Sequence, residues 1–177
     1  ELVLQARLLG LAAIGVADRN SLAGVVRAHK AARKHGVRLL IGARLDLADG
    51  ASVIAYPEDR EAYGRLSQLI TLGRRRAEKG ECLLYLADVL DWGEGIRLIL
   101  LPPALPEAAG EQLRKLVAHF PDRVYVAASH LLRGDDRRRL AHAAAFARHH
   151  GAQLLATNNV LMHSPARRPL ADVLTCI

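Results

Sequence analysis

Asp18, Arg19 and Asn20 form a polar run just after the apolar stretch AAIGV (Ala12 to Val16). Arg44 closes a second apolar stretch, and Asn158, Asn159 and His163 follow a last one, QLLAT. Polar groups gathered at strand ends could serve metal-dependent hydrolysis, which needs several His, Asp and Glu side chains converging on two or more cations. The residue types here run against that chemistry. Arginine stays protonated and has no lone pair for a cation, yet Arg19 and Arg44 stand where further ligands would be useful. Asn is neutral and binds divalent ions far less well than a carboxylate does. No H-x-H pair, nucleophile elbow, P-loop or dinucleotide-binding glycine motif occurs. The residues predict a rim with no metal, no cofactor and no catalytic nucleophile.

Other polar groups have structural explanations. His149 and His150 fall in the last turn of a helix, where positive charge suits the dipole. Asp135 or Asp136 suits a helix start, and His29 and His142 lie on helix sides. Two basic clusters stand out: Arg74, Arg75, Arg76 with Lys79, and Arg137, Arg138 with Arg139. They read as solvated helix surfaces or as contacts to nucleic-acid phosphate or an acidic neighbouring domain. With few aromatics beside them, base stacking is not indicated.

The elements that must position these residues alternate. A helix over Glu1 to Leu9 stops at Gly10. After the first strand, Ser21 can cap a helix running to Gly36. A strand from Val37 (VRLLIGARL), a turn at Asp49-Gly50 and a strand SVIAY follow. Pro57 to Asp59 begins a helix carrying Tyr63, Leu66, Leu69 and Ile70 at helical spacing, which runs out before Gly80. The second half repeats the theme: strand Ile96 to Pro102, helix Pro106 to His119, strand Arg123 to Ser129, a helix from Asp135 or Asp136 to His150, strand Gln153 to Thr157, and helix Arg168 to Ile177. Short apolar strands separated by helices predict a parallel sheet, covered on both faces or closed into a barrel. Chemistry would then lie on the loops after the strands: Ala17 to Ser21, the Arg44 region, Pro57 to Asp59, Pro102 to Leu105, Ser129 to Gly134 and Asn158 to Pro165. Opening and closing on helices, residues 1–177 read as a single domain cut from a longer protein.

Composition agrees with one globular α/β domain: 177 residues, 51% hydrophobic and only 4% aromatic. A net charge of +7 and a pI near 10.0 favour polyanion partners, nucleic acid before membrane. No apolar run can span a bilayer and no signal peptide is visible, so no membrane role is expected. Cys82 and Cys176 are far apart and read as reduced core thiols, which implies a cytoplasmic location.

Four segments carry a resemblance: ADRNSLAGVVRAHKAA (Ala17 to Ala32), IGARLDLADG (Ile41 to Gly50), AYGRLSQLITLGRRRAEKGEC (Ala62 to Cys82) and ATNNVLMHSPARRPLADVLTCI (Ala156 to Ile177). In this order they closely resemble the PHP (polymerase and histidinol phosphatase) domain of error-prone bacterial C-family DNA polymerases, relatives of the polymerase III alpha subunit. The resemblance implies a distorted seven-stranded β/α, TIM-like barrel, here without its first strand. It also implies a parent polymerase acting in lesion bypass, with the remaining polymerase domains, DNA and accessory lesion-bypass proteins as partners. Active members hold a metal cluster. The family's first-strand H-x-H would precede Glu1. The acid of its T-D-H loop matches Asp18, while the histidine falls on Arg19 and a glutamate falls on Arg44. A further histidine falls on Ser52, and the closing N-D-x-H motif places Asn159 and Leu161 at ligand positions.

Three functional expectations follow. The first is a metal-free, non-catalytic structural or interaction module of the polymerase. The second is a metal-dependent phosphoesterase or proofreading nuclease. The third is a nucleic-acid binding module using the arginine clusters. A further expectation is that Arg19 or Arg44 pairs with Asp18 where the metals would sit.

Overall fold

The computed structural model describes residues 1–102, 107–132, 134–158, 160 and 162–176. Helix α1 (Leu2–Leu8) precedes β1 (Ala13–Arg19), α2 (Val25–His35) and β2 (Arg38–Leu45). Then come β3 (Val53–Pro57), α3 (Arg60–Arg76), α4 (Leu86–Trp92), β4 (Ile96–Leu100) and α5 (Glu107–His119). The chain continues through β5 (Val124–Ala128), α6 (Asp136–His149), β6 (Gln153–Ala156), a 3-10 turn (Pro165–Arg167) and α7 (Arg168–Thr175).

The six strands form one sheet in sequence order, the α/β layout that the resemblance implies. It is not wholly parallel. β1 and β2 pair in parallel, as do β4, β5 and β6, but β3 is antiparallel to both its neighbours. The link from Leu45 to Val53 contains no helix, and a parallel return needs a crossover of about a dozen residues or more. Reversal of β3 puts its first residues, not Pro57, on the rim where the parallel strands end. The Pro57–Asp59 loop therefore lies at the opposite edge, beside Ile96.

Period-two alternation splits the sheet into two faces. Ala43, Leu45, Val53, Ala55, Leu98, Leu100 and Val126 face the helices and join Leu66, Leu69, Val89, Leu113 and Leu116 in one core. Each such leucine contributes roughly 1.5–3 kcal/mol by leaving water. A smaller cluster of Val3, Ala6, Ala32 and Val37 fastens α1 to α2.

Local chemistry explains the element ends. Asp59 accepts a hydrogen bond from the Ala62 N–H at 2.8 Å and starts α3. Gly36, at φ +64°, ends α2 in the left-handed conformation that a Cβ disfavours. Ser21 accepts from the Ala23 N–H at 3.0 Å, but regular helix begins only at Val25. Asp135 occupies the N-cap of α6 without a side-chain capping bond, while Asp136 accepts from the Leu131 N–H at 2.8 Å. Cys82 is half-buried against the core, and burial raises its thiol pKa although Arg74 opposes this. Cys176 is exposed, so the expectation of a core thiol fails there. No helix among the described residues is long and apolar enough to cross a membrane.

Candidate functional site

The rim gathers the ends of β1, β2, β4, β5 and β6 with the start of β3. Its centre is a carboxylate the sequence reading passed over. Asp46, one residue beyond β2, accepts at Oδ2 from Arg19 Nε at 2.6 Å and at Oδ1 from Arg44 Nε at 2.8 Å. The Ser52 hydroxyl donates to the same Oδ1 at 2.5 Å and accepts from the Arg44 guanidinium at 3.2 Å. Both carboxylate oxygens are thus occupied. Burial raises the Asp46 pKa, but the bonds from Ser52 and Arg44, with the charges of Arg44 and Arg19, outweigh it and hold the group below its ordinary value.

Asp18 does not join this cluster, contrary to expectation. It pairs across the sheet with Ala43, while Arg19 pairs with Arg44. Neighbouring residues on a strand point to opposite faces, so Asp18 turns toward the helices and the arginines do not. Its Oδ2 accepts from the Gly24 N–H at 2.6 Å, ordering the approach to α2. Asn159 and Leu161 lie outside the described residues. Asn158 is exposed, and His163 reaches Glu1 rather than the rim, with Nδ1 3.4 Å from its carboxylate. Just beyond β5 and β6, the Ser129 and Thr157 hydroxyls lie 2.7 Å apart.

The rim is braced from behind. Asn20, held at φ 46°, donates its backbone N–H to the Arg44 carbonyl at 2.7 Å. Its side-chain oxygen accepts from the Asp46 N–H at 3.0 Å, so one turn residue aligns both partners. Asn is among the few residue types that visit left-handed backbone routinely, and here the conformation is held by these two bonds to the end of β2. The buried Gln112 amide clamps the Ala51 N–H and carbonyl at 2.7 and 2.8 Å, which places Ser52 next to Asp46. The isolated acid in Leu45-Asp46-Leu47 was the available signal for this centre.

A metal cluster does not fit these donors. Asp46 is already neutralised by two guanidinium groups, whose charge opposes a divalent cation at this distance. Asp18 faces away and is engaged. Among the described residues no three His, Cys, Asp or Glu side chains are grouped so that they could hold an ion.

The basic clusters divide in the structure. Arg74 donates to the Asn20 carbonyl at 3.1 and 3.3 Å, tying the end of α3 to the rim. Arg76 grips buried Asp88 at 2.8 and 2.7 Å. Arg75 lies on an open groove beside Trp92, and Lys79 is exposed. In α6, Arg138 and Arg139 meet Asp135 and Asp136 at 4.0 and 3.4 Å, while Arg137 is exposed. Neither run forms one uniform cationic face.

The six strands in sequence order, with polar side chains at the rim and helices packed behind, define an α/β domain. The PHP domain model matches residues 1–129, and the chain belongs to the PHP domain family. It is 49% identical over 179 residues to an error-prone DNA polymerase of Caulobacter vibrioides. It is 52% identical over 187 residues to an error-prone DNA polymerase of Bradyrhizobium diazoefficiens. These alignments cover 100% and 99% of the chain but only 16% of each relative. Among solved structures, a presumptive metal-dependent phosphoesterase from Bifidobacterium adolescentis superposes with a TM-score of 0.63 at 18% identity, covering 92% of this chain and 81% of that one.

Proposed function

We infer that this chain is the PHP portion of an error-prone DNA-directed DNA polymerase acting in lesion bypass in the cytoplasm, and that it serves there as a metal-free, non-catalytic module. The observation that carries this reading is the convergence of Arg19 and Arg44 on Asp46. Two fixed positive charges hold the rim where cations would otherwise be needed. The names of the relatives favour the polymerase, and their greater length leaves room for domains that carry nucleotidyl transfer. The remaining polymerase domains are then the first partners of this module, and DNA is reached through the whole enzyme.

The test is metal content and turnover together. The purified chain is stripped with chelator, offered zinc or manganese, dialysed and measured by elemental analysis. The same sample is assayed on a phosphomonoester and on a 3′-labelled oligonucleotide. The expected result is metal at background and no hydrolysis. Near-stoichiometric metal that is lost in Asp18→Ala, or metal-dependent cleavage that survives purification, would overturn the reading.

A further inference from the structure

The largest run of cations without acids is in neither arginine cluster. Between Asp18 and Asp46 the sequence has no Asp or Glu, and α2 lies in the middle of that interval. Arg27, Lys30, Arg33 and Lys34 are all exposed on it. At 100° per residue, these positions fall within one side of the helix, with His29 at its margin. The opposite side is small and apolar: Ala32 is buried and Ala31 packs beside it against Val3 and Ala6 of α1. None of the four cations has a carboxylate partner among the described residues. Arg27–Lys30 and Lys30–Lys34 are like-charge pairs three and four positions apart, which disfavour the isolated helix.

We propose that this face of α2 binds the phosphate backbone of duplex DNA without reading its sequence. The stripe from Arg27 to Lys34 is about 10 Å long at the helical rise. Duplex DNA presents about one charge per 1.7 Å of axis with both strands counted, so a span of that length carries about six phosphates, enough for those on the near side to meet the four cations. An acidic protein surface is disfavoured because the stripe lacks the aromatic anchors of protein interfaces, and only Val26 adds exposed apolar area. A membrane is disfavoured because the apolar side of α2 is already packed on α1. The same lack of aromatics argues for duplex over unpaired bases. The choice of DNA rests on the polymerase reading. The stripe itself shares no residue with the rim, so failure here leaves the metal question untouched.

The experiment measures binding of the 177-residue chain to a fluorescent random-sequence duplex across a salt series. Circular dichroism checks the fold of every variant. With about four phosphates neutralised, log K is expected to fall against log salt with a slope of about −3 to −4. The variant Lys30→Gln/Arg33→Gln/Lys34→Gln should bind at least about tenfold more weakly at low salt, with the slope reduced by about 2–3. Arg137→Gln/Arg138→Gln should match the wild type in slope. Wild-type affinity and slope in the triple variant would overturn the proposal, as would equal losses in the control. So would tighter binding to polyglutamate or to anionic-lipid vesicles than to the duplex.

Discussion

Asp46→Ala removes the carboxylate on which the rim arginines converge, and its cost can be built up from the contacts. Arg19 reaches Asp46 at 2.6 Å, but its side chain is 69% exposed, so that bond competes with water and contributes only a few tenths of a kcal/mol. Arg44 and Asp46 are 36% and 28% exposed, and their 2.8 Å charge-assisted bond contributes about 1 kcal/mol. The Ser52 hydroxyl adds about 0.5 kcal/mol, and the guanidinium groups left facing each other cost a similar amount. The sum is about 2 kcal/mol, or roughly 4–8 °C in Tm for a chain of this size. Asp18→Ala loses one backbone hydrogen bond at Gly24 and should cost about 1 kcal/mol.

Acidity supplies a second reading of the same variant. The folded pKa of Asp46 lies below its ordinary 3.8, so its stabilisation is fully present above that value. It is lost as pH falls through the folded pKa. The difference between wild type and Asp46→Ala should therefore hold at neutral pH and close only in strong acid. Urea unfolding followed by circular dichroism, at pH 7 and in acid, measures both effects. An Asp46→Ala cost below about 0.5 kcal/mol at pH 7, or a larger cost for Asp18→Ala, would refute the assignment of Asp46 as the rim's centre.

Arg76→Ala should destabilise by about 2–3 kcal/mol in the same assay, because among the described residues it leaves buried Asp88 with the Tyr85 N–H alone. A double-mutant cycle with Asp88→Leu should recover part of that loss. His150 also titrates away from its ordinary value: burial, then the charges of His149 and Arg114, hold its pKa below 6.5. The unfolded chain therefore takes up the proton first, so stability should fall as pH drops below about 6.5, and His150→Leu should flatten that dependence between pH 8 and 5.

Periodicity made most elements legible because long apolar spacings leave few alternatives. The strand at Ile96 and the helix carrying Leu66, Leu69 and Ile70 are examples. What remained hidden depended on pairing partners. The reversal of β3 is written in the short Leu45–Val53 link, yet strand direction emerges only when neighbours are known. Helix α4 is seven residues long, and its Asp88 turns inward to serve its own N-terminus and Arg76, so its pattern resembles a loop. The triple arginine run looked uniform in sequence, but successive residues leave a helix about 100° apart. Arg74, Arg75 and Arg76 consequently serve the rim, the groove and the core edge. In α2 the cations are spaced three and four apart, so they share a face although no run announces them.

The rim shows the same dependence on parity, and its charged side chains tie the strand ends together. Asp18 and Arg19 are adjacent in sequence but belong to opposite faces, so the carboxylate that answers the arginines had to come from elsewhere on their own face. Asp46 supplies it two positions after Arg44. The Asp46 carboxylate connects three strand ends. It is bonded to the end of β1 through Arg19, to the end of β2 through Arg44, and to the approach to β3 through Ser52. Asn20, just after β1, and Gln112 of α5 fix the backbone on either side of Asp46 and Ser52, so the cluster forms on a backbone already in place. With Arg19 and Arg44 counted against Asp46, one positive charge is left over. The three charges of the cluster therefore sum to a positive local potential at the ends of β1 and β2.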